Sequence, residues 1–239
     1  MVSRFFPPAS SADRDGLVAI DPRFDSERML DAYQHGIFPW PCRWGDRWVD
    51  GWYSPDPRAI LPFETFRISR RLRRKLRAGH FLFQWDSCFE TVLKACASVD
   101  NREAEAWLSP RLRGAIVELH RQGHAHSIEV FDASGELCGG LYGIAAGAAF
   151  AAESMFHLKS DASKAAICAL VKLLEKAGFQ LLDVQQASSH LLTLGAVELP
   201  RSDYLKALTR AVEQRPMWPR GPKNAILYDQ IGSEANCDP

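Results

Sequence analysis

The chain has 239 residues, is 46% hydrophobic, and carries 29 basic and 29 acidic side chains that cancel. That size and composition suit one large domain, or a small one beside a larger one, with a real core; an anionic partner can be inferred only from local clustering of charge. The six cysteines form no Cys-x-x-Cys pair and indicate neither a disulfide framework nor a structural zinc site, and with no signal-peptide core or long apolar run a cytoplasmic protein is expected.

In chain order, Ser26 is placed to cap a helix through Met29, Leu30, Ala32 and Tyr33 that stops at Gly36. Trp40, Trp44, Trp48 and Trp52 follow four apart, but Pro39, Pro41 and Gly45 oppose a helix, so the spacing predicts a folded-back loop or short strands. The prolines of Ser54-Pro55-Asp56-Pro57-Arg58 make a stiff connection, which divides a small N-terminal domain, residues 1–56, from a larger domain, residues 57–239. Ser69 caps a basic helix to Arg77; a strand over 80–85 and a helix over 87–97 follow, and Ser109-Pro110 opens a helix that ends at Gly123. Three strands over 127–131, 137–142 and 148–156 predict an antiparallel meander. A helix over 164–177 closed by Gly178, a strand over 180–184 and a last helix from Ser202 complete an α+β or mixed α/β domain.

Glu153 interrupts the apolar run 148–156, which otherwise reads as a buried strand. A buried carboxylate is costly, so it either reaches solvent or Lys159 from a strand end, or it has a chemical task. Asp183 and Gln185 lie on a later strand, where alternation puts both on one face and lets them converge on Glu153. Two carboxylates and an amide can orient a nucleophile or move a proton; the plainer alternative is an Asp ending a strand and a Gln serving loop backbone.

Residues 67–77 hold seven positive charges and no acid, which makes Arg70, Arg71, Arg73 and Arg74 a patch suited to phosphates, with a solvated helix face as the ordinary alternative. Tryptophans near such a patch either stack on bases of a single-stranded end or form an aromatic core. His120, His124 and His126 look like metal ligands, but Gly123 breaks the helical pairing a zinc site uses, so no metal is expected. No Gly-rich phosphate loop or dinucleotide fingerprint occurs. Leu141, Met155, Leu170 and Leu182 are core positions or, where a cavity opens beside Glu153, its lining.

Several segments carry a resemblance in combination: Ala32-Tyr33-Gln34-His35-Gly36-Ile37-Phe38-Pro39-Trp40, Trp52-Tyr53-Ser54-Pro55-Asp56-Pro57-Arg58, Gly123-His124-Ala125-His126-Ser127-Ile128-Glu129, Gly139-Gly140-Leu141-Tyr142-Gly143, Glu153-Ser154-Met155-Phe156, Ala162-Ser163-Lys164 and Leu194-Gly195-Ala196. In this order, from about Gly16 to Tyr204, the chain resembles the bacterial leucyl/phenylalanyl-tRNA–protein transferase family. The resemblance implies transfer of Leu or Phe, with Met as a further donor, from aminoacyl-tRNA to the α-amino group of proteins with N-terminal Arg or Lys, a degradation signal of the N-degron pathway. It also implies an acetyltransferase-like (GNAT-like) second domain, a monomer, and no cofactor. The nearest approach to the coenzyme A motif of that fold, Arg111-Leu112-Arg113-Gly114-Ala115-Ile116, ends in isoleucine.

The site residues follow by the same resemblance. Glu153, Asp183 and Gln185 are the catalytic group: Gln185 orients the amine, Asp183 polarises that arrangement or accepts the proton, and Glu153 holds the donor or acceptor amine. Trp40 and Trp107 match aromatics beside the terminal adenosine of the tRNA, Leu141, Met155, Leu170 and Leu182 match the donor pocket, and the arginine patch is expected to hold tRNA phosphates. The chain departs from the pattern with Ala152 for a usual Gly, His157 for Ser, Ala106-Trp107-Leu108 for Thr-Trp-Ile, and Asp21-Pro22-Arg23-Phe24 for Gly-Gly-Asp-Leu, which bears on donor and acceptor choice. The alternatives are a paralogue acylating a different amine and a non-catalytic tRNA-binding protein.

Overall fold

The computed structural model describes residues 2–44, 46–98 and 108–231. Strand β1 (Leu17–Ile20) leads into helix α1 (Ser26–Gln34) and the ribbon of β2 (Phe38–Trp44) and β3 (Arg47–Tyr53), and the three strands form a sheet in the order β1-β3-β2. The cap of α1 is Asp25 rather than Ser26: the backbone at Asp25 is extended and its carboxylate accepts the Arg28 N–H at 2.8 Å. The tryptophan spacing resolves as strands. Trp40 lies opposite Gly51 and Trp52 opposite Pro39, so the two rings belong to facing strands. Trp52 is fully buried, packed on Phe6 and Phe24 with ring centroids 4.6 and 5.3 Å away, whereas Trp40 keeps 38% of its surface exposed.

The rest of the chain builds one eight-stranded sheet. Its elements are β4 (Arg58–Ile60), α2 (Arg70–Arg77), β5 (Phe81–Trp85), α3 (Phe89–Ser98), α4 (Pro110–Arg121), β6 (Ala125–Asp132), β7 (Leu137–Ala146) and β8 (Ala149–His157). They continue with α5 (Ala162–Ala177), β9 (Leu181–Gln185), the short α6 (Ser189–Thr193), β10 (Val197–Leu199), α7 (Arg201–Val212) and β11 (Ile226–Leu227). The strand order is β10-β4-β9-β8-β7-β6-β5-β11. The meander is present as β6-β7-β8, and among the described residues only β8 and β9 run parallel, which requires the crossover through α5. Ser69 and Ser109 cap the starts of α2 and α4, and the left-handed Gly178 ends α5, as the sequence predicts. The helix expected from residue 87 starts at Phe89, because Ser87 turns away to donate to the buried Glu129 from its hydroxyl at 2.9 Å and its N–H at 3.2 Å. Strands β4, β10 and β11, of two or three residues, are too short to show a period and escape sequence reading.

Helix α5 covers one face of this sheet with Ala165, Ala166, Ala169 and a row of larger apolar side chains. Its start sits close on β7 because Gly139 has no side chain: a Cβ there would lie 2.6 Å from that of Ala162. The other face carries α3, α4, α7 and the N-terminal segment, and Met29, Tyr33 and Trp52 share one core with Val92, Leu119, Tyr142 and Tyr204. Each such buried aromatic or aliphatic side chain stabilises the fold by roughly 1.5–3 kcal/mol. The N-terminal segment is thereby held against the sheet, with α1 packed on β7, α4 and α7.

Candidate active site

Two backbone irregularities aim the site. Along β7 and β8 the register pairs Gly143 with Ala152 and Tyr142 with Ser154, which leaves Glu153 as the extra residue of a β-bulge. Gly143 makes the bulge possible, since a Cβ there would sit 2.3 Å from the Ala151 carbonyl oxygen. Gln185 ends β9 with φ of 63°, and the N–H of Gln186 donates to Val184 O at 2.7 Å across it, a tight three-residue turn. A left-handed non-glycine residue costs on the order of 1–3 kcal/mol and persists where its surroundings over-determine it.

Between these two points the sheet opens. Parallel pairing of β8 with β9 ends at Ala151 and Asp183, and a cavity of about 370 Å³ lies where the strands part. Leu141, Met155, Leu170 and Leu182 line its apolar wall together with Leu61, Ile167 and Leu191; Trp40 and Phe38 flank it, and Glu153 and Gln185 supply polar wall. Ala152 also lines it, while His157 stands exposed at the far end of β8.

Gln185 Nε2 donates to Glu153 Oε1 at 2.5 Å. The strand-end alternative for Glu153 is overturned, because Lys159 pairs with Asp132 instead. The Glu153 carboxyl is pushed up to about 8, first by burial. The Tyr33 phenol opposes this shift, Asp183 adds to it, and Arg58 and Gln185 oppose it further. Tyr33 is itself buried, and its hydroxyl lies beside Glu153 without a hydrogen bond of ordinary geometry. Its own ionisation is pushed far up by burial and by Glu153, which keeps the phenol neutral.

Asp183 does not share a face with Gln185. Leu182 and Val184 face the cavity, so strand alternation turns Asp183 the other way, and the left-handed turn then swings Gln185 back toward Glu153. The Asp183 carboxylate, 3% exposed, accepts from Arg58 Nε at 2.9 Å and Nη2 at 2.6 Å, from Tyr204 Oη at 2.8 Å and from the Gln185 N–H at 2.9 Å. Arg58, 1% exposed, also donates to Gly36 O at 3.2 Å and lies between the rings of Phe38 and Tyr204. Burial works against its charge, but Asp183 more than offsets that and holds the guanidinium firmly protonated. Four donors are thus directed at the Asp183 carboxylate. Arg58, Tyr204 and Tyr33 escaped the sequence reading as site residues; the only signal for Arg58 and Tyr33 was their place inside quoted motifs.

The remaining candidates fall elsewhere. Arg70, Arg73, Arg74 and Arg77 line an open groove on α2, whereas Arg71 turns toward Asp161 at 3.9 Å. Trp107 lies outside the described residues. His120 stacks on Phe89, and His126 holds Asp86 at 2.8 Å while stacking on Trp218. Among the described residues no group of three or more His, Cys, Asp or Glu is placed to hold a metal ion, and no helix is long and apolar enough to cross a membrane.

The cavity joins an apolar wall able to hold a side chain to a polar wall that carries a protonatable carboxyl and an amide, the make-up of a ligand or active site. The sequence profile described as leucyl/phenylalanyl-tRNA protein transferase matches residues 60–209, and that of its N-terminal domain matches residues 23–56. A leucyl/phenylalanyl-tRNA–protein transferase from Nitratidesulfovibrio vulgaris (strain DP4) is 45% identical over 210 residues, 87% of this chain and 88% of that protein. One from Xanthomonas axonopodis pv. citri (strain 306) is 44% identical over 217 residues, 90% of this chain and 85% of that protein. The chain belongs to the leucyl/phenylalanyl-tRNA–protein transferase family. A solved structure of L-PGS from Bacillus licheniformis overlaps 80% of this chain and 71% of that one at TM-score 0.39 and 13% identity, a likeness too weak to bear on the site.

Proposed function

We propose that this enzyme moves leucine or phenylalanine, with methionine as a further donor, from aminoacyl-tRNA to the α-amino group of proteins beginning with Arg or Lys and so marks them for degradation. The observation that carries this reading is the cavity between β8 and β9, whose apolar lining suits an aliphatic or aromatic side chain and whose polar wall is the Glu153–Gln185 pair. We read residues 57–239 as a GNAT-like domain, since the parting of two parallel strands is where that fold opens its acyl site, and residues 1–56 as a small domain that closes one side. The enzyme acts as a cytoplasmic monomer on this reading.

An aminoacyl ester is already activated, so alignment and proton handling suffice and no coenzyme is called for. The amine nitrogen attacks the ester carbonyl carbon, the C–N bond forms, the bond to the ribose oxygen breaks, and the amine's proton ends on that ribose oxygen. Gln185 spends its amide N–H on Glu153, which leaves its carbonyl oxygen to accept an N–H of the incoming amine and aim its lone pair. An amide is too weak a base to take the proton. Glu153, poised near the working pH, takes it and returns it to the ribose oxygen. Asp183 is a positioning residue: it grips the Gln185 backbone and is itself fixed by Arg58 and Tyr204. Trp40, exposed at the cavity mouth, offers a face for the terminal adenine, and Trp107 has the same role on this reading. The α2 groove of Arg70, Arg73 and Arg74, with Arg71 beside it, takes tRNA phosphates.

The direct test supplies labelled leucine, phenylalanine or methionine on tRNA together with peptides beginning with Arg, Lys or a neutral residue. Transfer restricted to Arg and Lys peptides is expected. Absence of transfer to any peptide, with charged tRNA still bound, would overturn this reading in favour of an enzyme for a different amine or a non-catalytic tRNA-binding protein.

A further inference from the structure

A second hollow, of about 260 Å³, is lined in part by Arg67, Ser69, Leu72, Lys164 and Thr193. Two helices, α5 and α6, contribute to both this hollow and the catalytic cavity. Lys164 lies one helical turn before Ile167 on α5, and Thr193 closes the same short helix, α6, that brings Leu191 to the cavity. Its opposite wall, Arg67 to Ser69, runs directly into α2 and its arginine groove. The hollow therefore lies between the two sites that a charged tRNA has to occupy together.

Its charge is in excess. Neither Arg67 nor Lys164 makes a salt bridge among the described residues, and Asp161, the carboxylate three residues before Lys164, is taken by Lys75 at 2.6 Å and faced by Arg71 at 3.9 Å. The field of Lys164 reaches both that carboxylate and His190 on α6. Burial, Lys164 and His157 lower the proton affinity of His190, whose Nε2 is buried without a partner. His157 in turn has Nδ1 3.5 Å from Ser163 Oγ, next to Lys164. An acceptor protein presents a positively charged end and is repelled here, whereas a phosphodiester is attracted.

We propose that Arg67 and Lys164 form a phosphate subsite that carries the single-stranded 3′ end of the tRNA from the α2 groove into the catalytic cavity. This rests on the reading of the enzyme as one that uses aminoacyl-tRNA. The subsite binds backbone and not base, so it adds affinity and register without sequence preference.

Phosphate content of the donor separates this role from a structural one. In the variant Arg67→Gln/Lys164→Gln, the KM for phenylalanyl-tRNA is expected to rise about ten-fold and the salt slope of tRNA binding to fall by about two. With 3′-phenylalanyl-adenosine, which has no phosphate, kcat/KM is expected to stay within about two-fold of wild type, and Arg67→Lys/Lys164→Arg should retain most of the tRNA affinity. Equal losses with both donors, or an unchanged KM and salt slope with tRNA, would overturn the subsite. If wild-type enzyme transfers from neither donor, the functional reading fails instead, and the salt slope of uncharged tRNA binding to wild type and variant still decides the subsite.

Discussion

The Asp183 carboxylate accepts the backbone N–H of Gln185, its neighbour two residues on, at 2.9 Å, and so pins the left-handed turn that brings Gln185 to Glu153. One hydrogen bond thus links the buried Arg58–Asp183 pair to the wall of the cavity. Gln185→Gly should keep or raise stability, by up to about 1 kcal/mol, because glycine adopts positive φ freely. The same change should lower kcat at least a hundred-fold while leaving tRNA affinity near wild type. Thermal melting and steady-state transfer measured together check this; retained turnover would remove Gln185 from the mechanism.

Glu153 sets the pH dependence of activity. The acceptor α-amine must be neutral to attack and has its ordinary pKa at about 8, while Glu153 must be ionised to take the proton and is held near 8. Two groups titrating together give log kcat/KM a slope of about two against pH on the acid side. Glu153→Gln should reduce the rate about 10²- to 10⁴-fold and leave a slope of about one. A wild-type slope of one would show that Glu153 does not exchange the proton.

The same carboxyl should cost stability in alkaline solution. Its folded pKa is raised from 4.5 to about 8, so the folded state binds a proton that the unfolded chain releases across that window. The associated stability is intact at low pH and is lost as pH rises through the window, by at most a few kcal/mol. Glu153→Gln, which cannot ionise, should match wild type near pH 4 and become progressively more stable up to about pH 8. Parallel urea melts over that range measure the difference.

Arg58 and Asp183 form a buried pair in which each needs the other. Arg58→Met should cost about 3–5 kcal/mol by leaving the buried carboxylate without a counter-charge. Arg58→Met/Asp183→Leu should recover much of that loss but not activity, since the Gln185 N–H then has no acceptor. Urea midpoints and transfer rates of the single and double variants test whether stability and activity separate.

Neutralising Arg70, Arg73, Arg74 and Arg77, which line one exposed groove, should weaken tRNA binding and reduce the dependence of log K on log salt by about three to four. Melting temperature should hardly change, because Leu72 and Leu76, not the arginines, anchor α2.

Glu153 was legible as an anomaly, a carboxylate in an apolar strand, and Leu141, Met155, Leu170 and Leu182 were legible as either core or lining. They are both: Leu141, Leu170 and Leu182 are buried in the core and still face the cavity. The orientation of Asp183 was not legible. Period-2 alternation put it beside Gln185, and a positive φ, which the sequence of β9 does not announce, separated them. Arg58 looked like the end of a proline-rich connection because its partner lies 125 residues away.

By itself the sequence determined the helices with their caps at Ser69, Ser109 and Gly178, the meander and the basic run on α2. Those features depend on period, capping chemistry and motifs carried by neighbouring residues. Only the tertiary structure decided that Glu153 occupies a bulge opposite Gly143, that β8 and β9 part beyond Ala151 and Asp183, and that Arg58 and Tyr204 hold Asp183 from two distant segments. Each of these is a balance of packing and charge between strands that meet only after long loops have closed, and no local preference encodes it.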